Sequence, residues 1–201
     1  LPYIMSCGSI NIHHRIISKI REILITQGFF ETINYSLISQ TTLKDLKIDI
    51  EKTTVLDNPL SSQQEFLRPS LLPGLLFCIA KNIRHKEGVC IFEIGKVFNN
   101  SKESNFLGLA LCGKKIFLRD LGKTEENLTI LHIKGVLELI FKNIGIKNFD
   151  FVFENYPYLE NGLNILIAGQ KIGYLGKLNK EISQNFDINK NEVFVAELNL
   201  D

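Results

Sequence analysis

The run Asn58-Pro59-Leu60-Ser61-Ser62-Gln63-Gln64-Glu65-Phe66-Leu67-Arg68-Pro69-Ser70-Leu71-Leu72-Pro73-Gly74-Leu75-Leu76 carries more structural information than any other part of this 201-residue chain. The residue before a proline is pushed out of the helical region, so Asn58-Pro59 ends whatever precedes it. A turn and a short polar helix are expected next. Ser70 is placed to cap a second, apolar helix, and Pro73 falls in its first turn, where a missing N–H costs nothing. Leu72, Leu75, Leu76, Ile79 and Ile83 recur at helical spacing and predict one buried face.

Working outward, Asn11–Gln27 reads as an amphipathic helix with Ile12, Ile16, Ile20, Ile23 and Leu24 on one side, and Gly28 stops it. Phe30–Ile38 reads as a strand, and Ser39 caps a short helix running to about Leu46. Val89–Phe98 and Phe106–Cys112 have the β-branched and aromatic content of strands. Lys114–Leu128 reads as a loop with a short helical turn. Ile130–Ile144 has a 3.6-residue apolar period and a stop signal at Gly145. Strands are expected at Phe149–Glu154, Leu163–Ala168, Lys171–Gly176 and Val193–Leu200, with Gly169-Gln170 turning a hairpin and Lys180–Phe186 forming a helix. Hairpin-joined strands with interspersed helices predict an α+β fold, a mostly antiparallel sheet with helices on one side. Residues 1–9 read as a linker from an upstream module, and residues 10–201 as one domain.

Composition narrows the function. Apolar residues make up 45% and charged ones 22%, and 23 basic against 22 acidic residues leave a formal charge of +1. Tight nucleic-acid binding needs clustered Lys and Arg, so the whole-chain balance gives no reason to expect it. Cys7, Cys78, Cys90 and Cys112 have no CxxC spacing and read as free thiols of a reducing, cytoplasmic compartment. No apolar run approaches membrane-spanning length, so no membrane partner is expected. The chain opens on Leu1 and its one methionine is Met5, so it is expected to be a piece of a longer polypeptide.

Few residues nominate themselves for chemistry. Gly169, Gly173 and Gly176 do not fit a nucleotide-binding spacing and read as turn and packing glycines. Adjacent His13-His14 point to different helix faces and cannot share a metal. His85 and His132 have no ligand-spaced partner. Glu93 stands out, because it lies in the apolar strand Val89-Cys90-Ile91-Phe92-Glu93-Ile94, where an unpaired carboxylate would be costly. Arg68, also in apolar surroundings, is its expected partner, and a structural ion pair is the preferred reading over a ligand contact.

The opening run closely resembles the central, synthetase-like module of the bacterial-type phenylalanyl-tRNA synthetase beta subunit. Gln27–Ser39 resembles that family's "GF-x-E-x-x-x-YS-L" strand, and Ile91-Phe92-Glu93-Ile94-Gly95-Lys96-Val97-Phe98 its "LFEIGKVF" strand. Ile133–Glu138, Lys171–Leu178 and Val193–Asp201 resemble its "LKG-x-x-E", "RIGYLGEL" and "VYAFELDLD" segments. The matches fall in family order over nearly the whole chain. They depart at Glu160–Ile165 and Asn179–Ile182.

The resemblance implies a class II aminoacyl-tRNA synthetase-like fold and a phenylalanine–tRNA ligase built as an (αβ)2 heterotetramer. It implies ATP and magnesium as cofactors of the holoenzyme and tRNA bound through it. In an active class II site, the strand resembling Gly95–Phe98 leads into an arginine that holds the ATP α-phosphate. Asn99, Asn100 and Ser101 follow here. The glycine-rich last strand of an active site corresponds to Phe194–Asp201, with Glu197 and Asn199 at the glycine positions, and a carboxylate there repels a triphosphate. A catalytically silent scaffold packing on the alpha subunit is therefore expected, with no catalytic, cofactor or metal residues of its own. Asn58, Pro59, Arg68, Glu93 and Gly95 are its expected structural or interface residues. The isolated module is expected to self-associate or bind the alpha chain. The competing readings are a stand-alone class II-like ATP-dependent ligase, which needs the missing arginine, and an RNA-binding module, which needs a basic stripe.

Overall fold

The computed structural model describes residues 11–99, 102–119 and 122–201; the expected linker at residues 1–9, Cys7, Asn100 and Ser101 lie outside the described residues. In chain order the elements are α1 (Ile12–Thr26), β1 (Phe30–Glu31), β2 (Leu37–Ile38), α2 (Gln40–Asp45), a 3-10 turn (Ile50–Lys52), β3 (Phe66–Leu67), α3 (Leu72–Asn82), β4 (Gly88–Asn99) and β5 (Lys102–Arg119). They continue with β6 (Gly122–Asn127), α4 (Ile130–Asn143), β7 (Phe149–Phe153), β8 (Leu159–Ile167), β9 (Gln170–Leu178), α5 (Lys180–Asn185) and β10 (Val193–Asn199).

The main sheet runs β1-β4-β5-β10-β9-β8-β7, with β6 paired to the far end of β5. Only β1 against β4 is parallel; the other pairings are antiparallel. The α+β, mostly antiparallel expectation holds, but helices cover both faces rather than one. Helices α1 and α4 bury Ile20, Ile23, Leu24, Ile133 and Leu137 on one side, against Phe92, Leu109 and Phe194. On the other side α3 and α5 bury Leu72, Leu75, Leu76, Ile79 and Ile182, against Ile91, Ala110 and Val195. The sequence carries the reason. Val193-Phe194-Val195-Ala196 is apolar without alternation, the pattern of a strand buried on both faces.

Capping agrees with the sequence in several places. Asn11 accepts from the His13 N–H, Ser39 accepts from Thr42 at 3.1 Å, and Gly28 takes φ +86° beyond α1. At α4, Thr129 and His132 form a reciprocal cap, with the Thr129 N–H 3.1 Å from His132 Nδ1, which gives that histidine a structural role.

Four expectations are corrected. The polar residues after Pro59 form turns, not a short helix, with Gln64 N–H donating to Ser61 O. Phe30–Ile38 is not one strand: it splits into β1 and β2 because Thr32–Ser36 leaves the sheet to meet buried polar groups. Lys114–Leu128 is neither loop nor helical turn, since β5 runs on to Arg119 and returns as β6. The hairpin between β8 and β9 turns on Ala168-Gly169, one residue earlier than expected, with φ of +50° and +79°. A two-residue turn with both φ positive matches the strand twist.

Candidate functional site

Period-2 alternation places Glu93 on β4 and Glu197 on β10 on the sheet face beneath α3. The register aligns them in one row across five strands: Glu93, Gly108 on β5, Glu197, Tyr174 on β9 and Asn164 on β8. Gly108 is the gap in that row. A Cβ there would lie 2.8 Å from Leu75 Cδ1 and 3.0 Å from Leu71 Cβ, so the missing side chain lets the start of α3 settle onto the sheet between two acids.

Arg68 lies at one end of this arrangement. Its Nη1 donates to Glu93 Oε1 at 2.7 Å and its Nε to Lys96 O at 2.9 Å, with only 4% of Arg68 and 2% of Glu93 exposed. Glu93 also accepts from Asn34, from the backbone N–H at 3.2 Å and from Nδ2 at 2.7 Å. Gly95 is needed here, because a Cβ would come within 2.5 Å of Arg68 Nη2. Three of the five nominated residues, Arg68, Glu93 and Gly95, therefore meet. Asn58 and Pro59 do not join them; they lie in an exposed turn.

Asn34 is the clamp that the sequence did not reveal. It sits between Ile33, 95% exposed, and Tyr35, 82% exposed. Its Oδ1 accepts from the Cys78 thiol at 3.2 Å, and its Cβ needs the bare Cα of Gly74 on α3. The loop is held rigidly from inside while presenting two large apolar side chains outward. Tyr35 also borders a surface groove of about 410 Å³ with Leu37, Gln63, Gln64, Phe77 and Lys81.

Glu197 marks the other end. Its Oε1 accepts the Leu71 N–H at 2.6 Å, and its Oε2 accepts the Ser70 hydroxyl at 3.0 Å and the Tyr174 hydroxyl at 2.7 Å. This corrects the expected cap. Ser70 lies one residue before the cap position and accepts from the Leu72 N–H, while the carboxylate that stabilises the helix start comes from β10. Burial pushes the Glu197 carboxyl up from its ordinary range, against the pull of these three hydrogen bonds and of the Arg68 charge. Burial also raises the Tyr158 and Tyr174 hydroxyls, whose rings pack edge to face with centroids 5.6 Å apart.

A pocket of about 240 Å³ opens beside Glu197, walled by Leu46, Ile48, Leu72, Phe106, Tyr158 and Tyr174, with Asn99 also lining it. Among the described residues no Lys or Arg lines it. Among the described residues no group of three His, Cys, Asp or Glu could hold a metal ion, and no helix is long and apolar enough to cross a membrane.

The family model described as the phenylalanyl tRNA synthetase beta chain CLM domain matches residues 3–200. The chain belongs to this family. It is 32% identical over 196 residues to the phenylalanine–tRNA ligase beta subunit of Carboxydothermus hydrogenoformans, a match covering 91% of this chain and 24% of the relative. It is 31% identical to that of Mycoplasma pneumoniae, over 92% of this chain and 24% of the relative. The chain thus spans about a quarter of the length of the curated relatives it matches. Among solved structures, a pyrrolysyl tRNA synthetase from Desulfitobacterium hafniense aligns with a TM-score of 0.76 at 16% identity, covering 94% of this chain and 66% of that one. That likeness shows the class II synthetase fold.

The fold family implies ATP, and the pocket of this CLM domain does not fit it. Cofactor pockets commonly reach about 300–1,000 Å³, more than the space beside Glu197. Among the described residues the only charged side chain lining it is a carboxylate, the wrong sign for phosphates. Arg68, the nearby cation, is turned to Glu93 and the Lys96 carbonyl.

Proposed function

We propose that this CLM domain is the catalytically silent module of a phenylalanine–tRNA ligase beta subunit, packing on an alpha subunit that performs the chemistry. The assembly is an (αβ)2 heterotetramer in the cytoplasm, charging tRNA with phenylalanine at the cost of ATP with magnesium. On this reading the module is one domain, residues 10–201, joined through residues 1–9 to an upstream module. Arg68, Glu93 and Gly95 hold an interface loop from within, and Asn58 and Pro59 shape the neighbouring turn.

One observation carries the reading: Ile33 and Tyr35 stand almost fully in solvent while Asn34 between them is tied to a buried ion pair. A rigid loop that exposes large apolar side chains is costly alone and favourable against a partner, where preordered side chains lose little entropy on docking. The pocket beside Glu197 supports the silent half of the reading, since a nucleotide finds no cation there among the described residues.

Sedimentation of the module with and without the alpha subunit tests this. A stoichiometric complex, or self-association that the alpha subunit reverses, is expected. A strictly monomeric module that ignores the alpha subunit overturns the assembly.

A further inference from the structure

The pocket beside Glu197 excludes anions, but its walls form a coherent site of another kind. Its lining combines aliphatic side chains (Leu46, Ile48, Leu72), aromatic rings (Phe106, Tyr158, Tyr174) and one carboxylate that is 3% exposed. An ionised carboxylate has about four lone-pair positions. Three on Glu197 are taken, by Leu71 N–H, Ser70 and Tyr174, and the remaining one is on Oε1. The Tyr158 hydroxyl, on the ring packed against Tyr174, supplies further acceptor capacity at the same wall. Aromatic faces and a carboxylate attract positive charge, and both attractions strengthen away from water.

Size sets the other limit. At about 30 Å³ of liquid volume per water, 240 Å³ corresponds to roughly eight waters, room for one small ring and a head group. Among the lining residues Asn99 is exposed and Ile48, Pro69 and Phe106 are half-buried, so the space is reachable from solvent.

From these walls we infer that the pocket binds a small organic cation, a primary ammonium carried on a single ring or a branched aliphatic group. The ammonium donates to Glu197 Oε1 and to the Tyr158 hydroxyl, and the apolar body lies against Leu46, Ile48 and Phe106. This use of the pocket is separate from the assembly proposed above, since Ile33 and Tyr35 do not line it.

Calorimetric titration of the full-length polypeptide with cyclohexylamine, cyclohexanol and cyclohexanecarboxylate tests it. The amine is expected to bind about tenfold or more tighter than the alcohol, the effect of one charge-assisted hydrogen bond, and the carboxylate not at all. Ile48→Trp, which plugs the rim without touching Glu197, is expected to abolish binding of the amine. Because other parts of the polypeptide could take up an amine, a crystal soaked with cyclohexylamine locates it, with the nitrogen within hydrogen-bonding distance of Glu197 Oε1. Equal binding of amine and alcohol, no binding up to about 10 mM amine, binding that survives Ile48→Trp, or density for the amine elsewhere each overturns the inference.

Discussion

Arg68 and Glu93 form a buried ion pair, Nη1 to Oε1 at 2.7 Å, that links the segment before α3 to the centre of β4. Neither side chain can recover solvation if its partner is lost. Glu93→Ala is expected to cost about 3–5 kcal/mol, the range for breaking a buried pair from one side. The double variant Glu93→Leu with Arg68→Met is expected to lose less than Glu93→Ala alone, since apolar replacement of both partners leaves no uncompensated charge. Urea denaturation of the three proteins checks the order; an unchanged midpoint in Glu93→Ala contradicts it.

Gly95 gives Arg68 the room to reach Glu93. A methyl group there meets Nη2 at 2.5 Å and Glu93 Oε1 at 3.3 Å. Gly95→Ala is expected to destabilise by about 1–3 kcal/mol through displacement of the guanidinium. The same denaturation measurement, combined with Arg68→Met, checks the cause: the glycine effect should shrink once the guanidinium is gone.

Glu197 has its carboxyl raised by burial, so the folded state holds its proton to higher pH than the unfolded chain does. Between the two pKa values the folded protein binds more protons, and stability falls as pH rises. Tyr174, Ser70 and the Leu71 N–H bond it, Tyr158 lies beside it, and the charge acting on it near neutral pH is that of Arg68, which is itself turned to Glu93. Relative to Glu197→Gln, the natural protein is expected to be most stable below the ordinary carboxylate range and to lose ground as pH climbs through the folded Glu197 value. Denaturation of both proteins across a pH series measures this, and a difference that stays constant with pH rules it out.

Ile33 and Tyr35 are too exposed to hold the fold together. Ile33→Asp and Tyr35→Ala are each expected to change stability by less than about 0.5 kcal/mol. Each is expected to weaken binding to the alpha subunit by about tenfold, as loss of an anchor residue commonly does. Asn34→Ala is expected to affect both properties, because its side chain ties the loop to Glu93. Sedimentation and melting curves on the same samples separate the effects.

The isolated module is expected not to activate phenylalanine. Asn99 carries no charge to hold a phosphate, and Glu197 opposes one. Phenylalanine-dependent exchange of pyrophosphate into ATP, in a preparation free of host synthetase, should stay at background; turnover that scales with module concentration would falsify the silent assignment.

Much of this was legible along the chain. Uninterrupted apolar strands such as Val193–Ala196 already required cover on both faces, although the hairpin pattern alone pointed to helices on one. Glu93 announced a partner because a lone carboxylate in an apolar strand is costly, and Arg68 was the cation in similar surroundings. The split of Phe30–Ile38 was not legible. Its composition fits a strand, and it leaves the sheet because Asn34 gains more by bonding a buried carboxylate 59 residues away. Ser70 likewise has the composition of a cap and still takes the Leu72 N–H, but the Leu71 N–H goes to a carboxylate from β10 that no local pattern could announce.

Local composition and periodicity by themselves determined the apolar helices and the central strands, and that Glu93 and Arg68 need each other, because those outcomes follow from desolvation costs each residue carries anywhere. Only the tertiary structure decided that Glu197 reaches Leu71, 126 residues away, that Gly108 seats α3 between two acids, and that Tyr158 and Tyr174 close a pocket beside them. Those relationships depend on strand register, and register is set by the packing of the whole sheet rather than by any one strand.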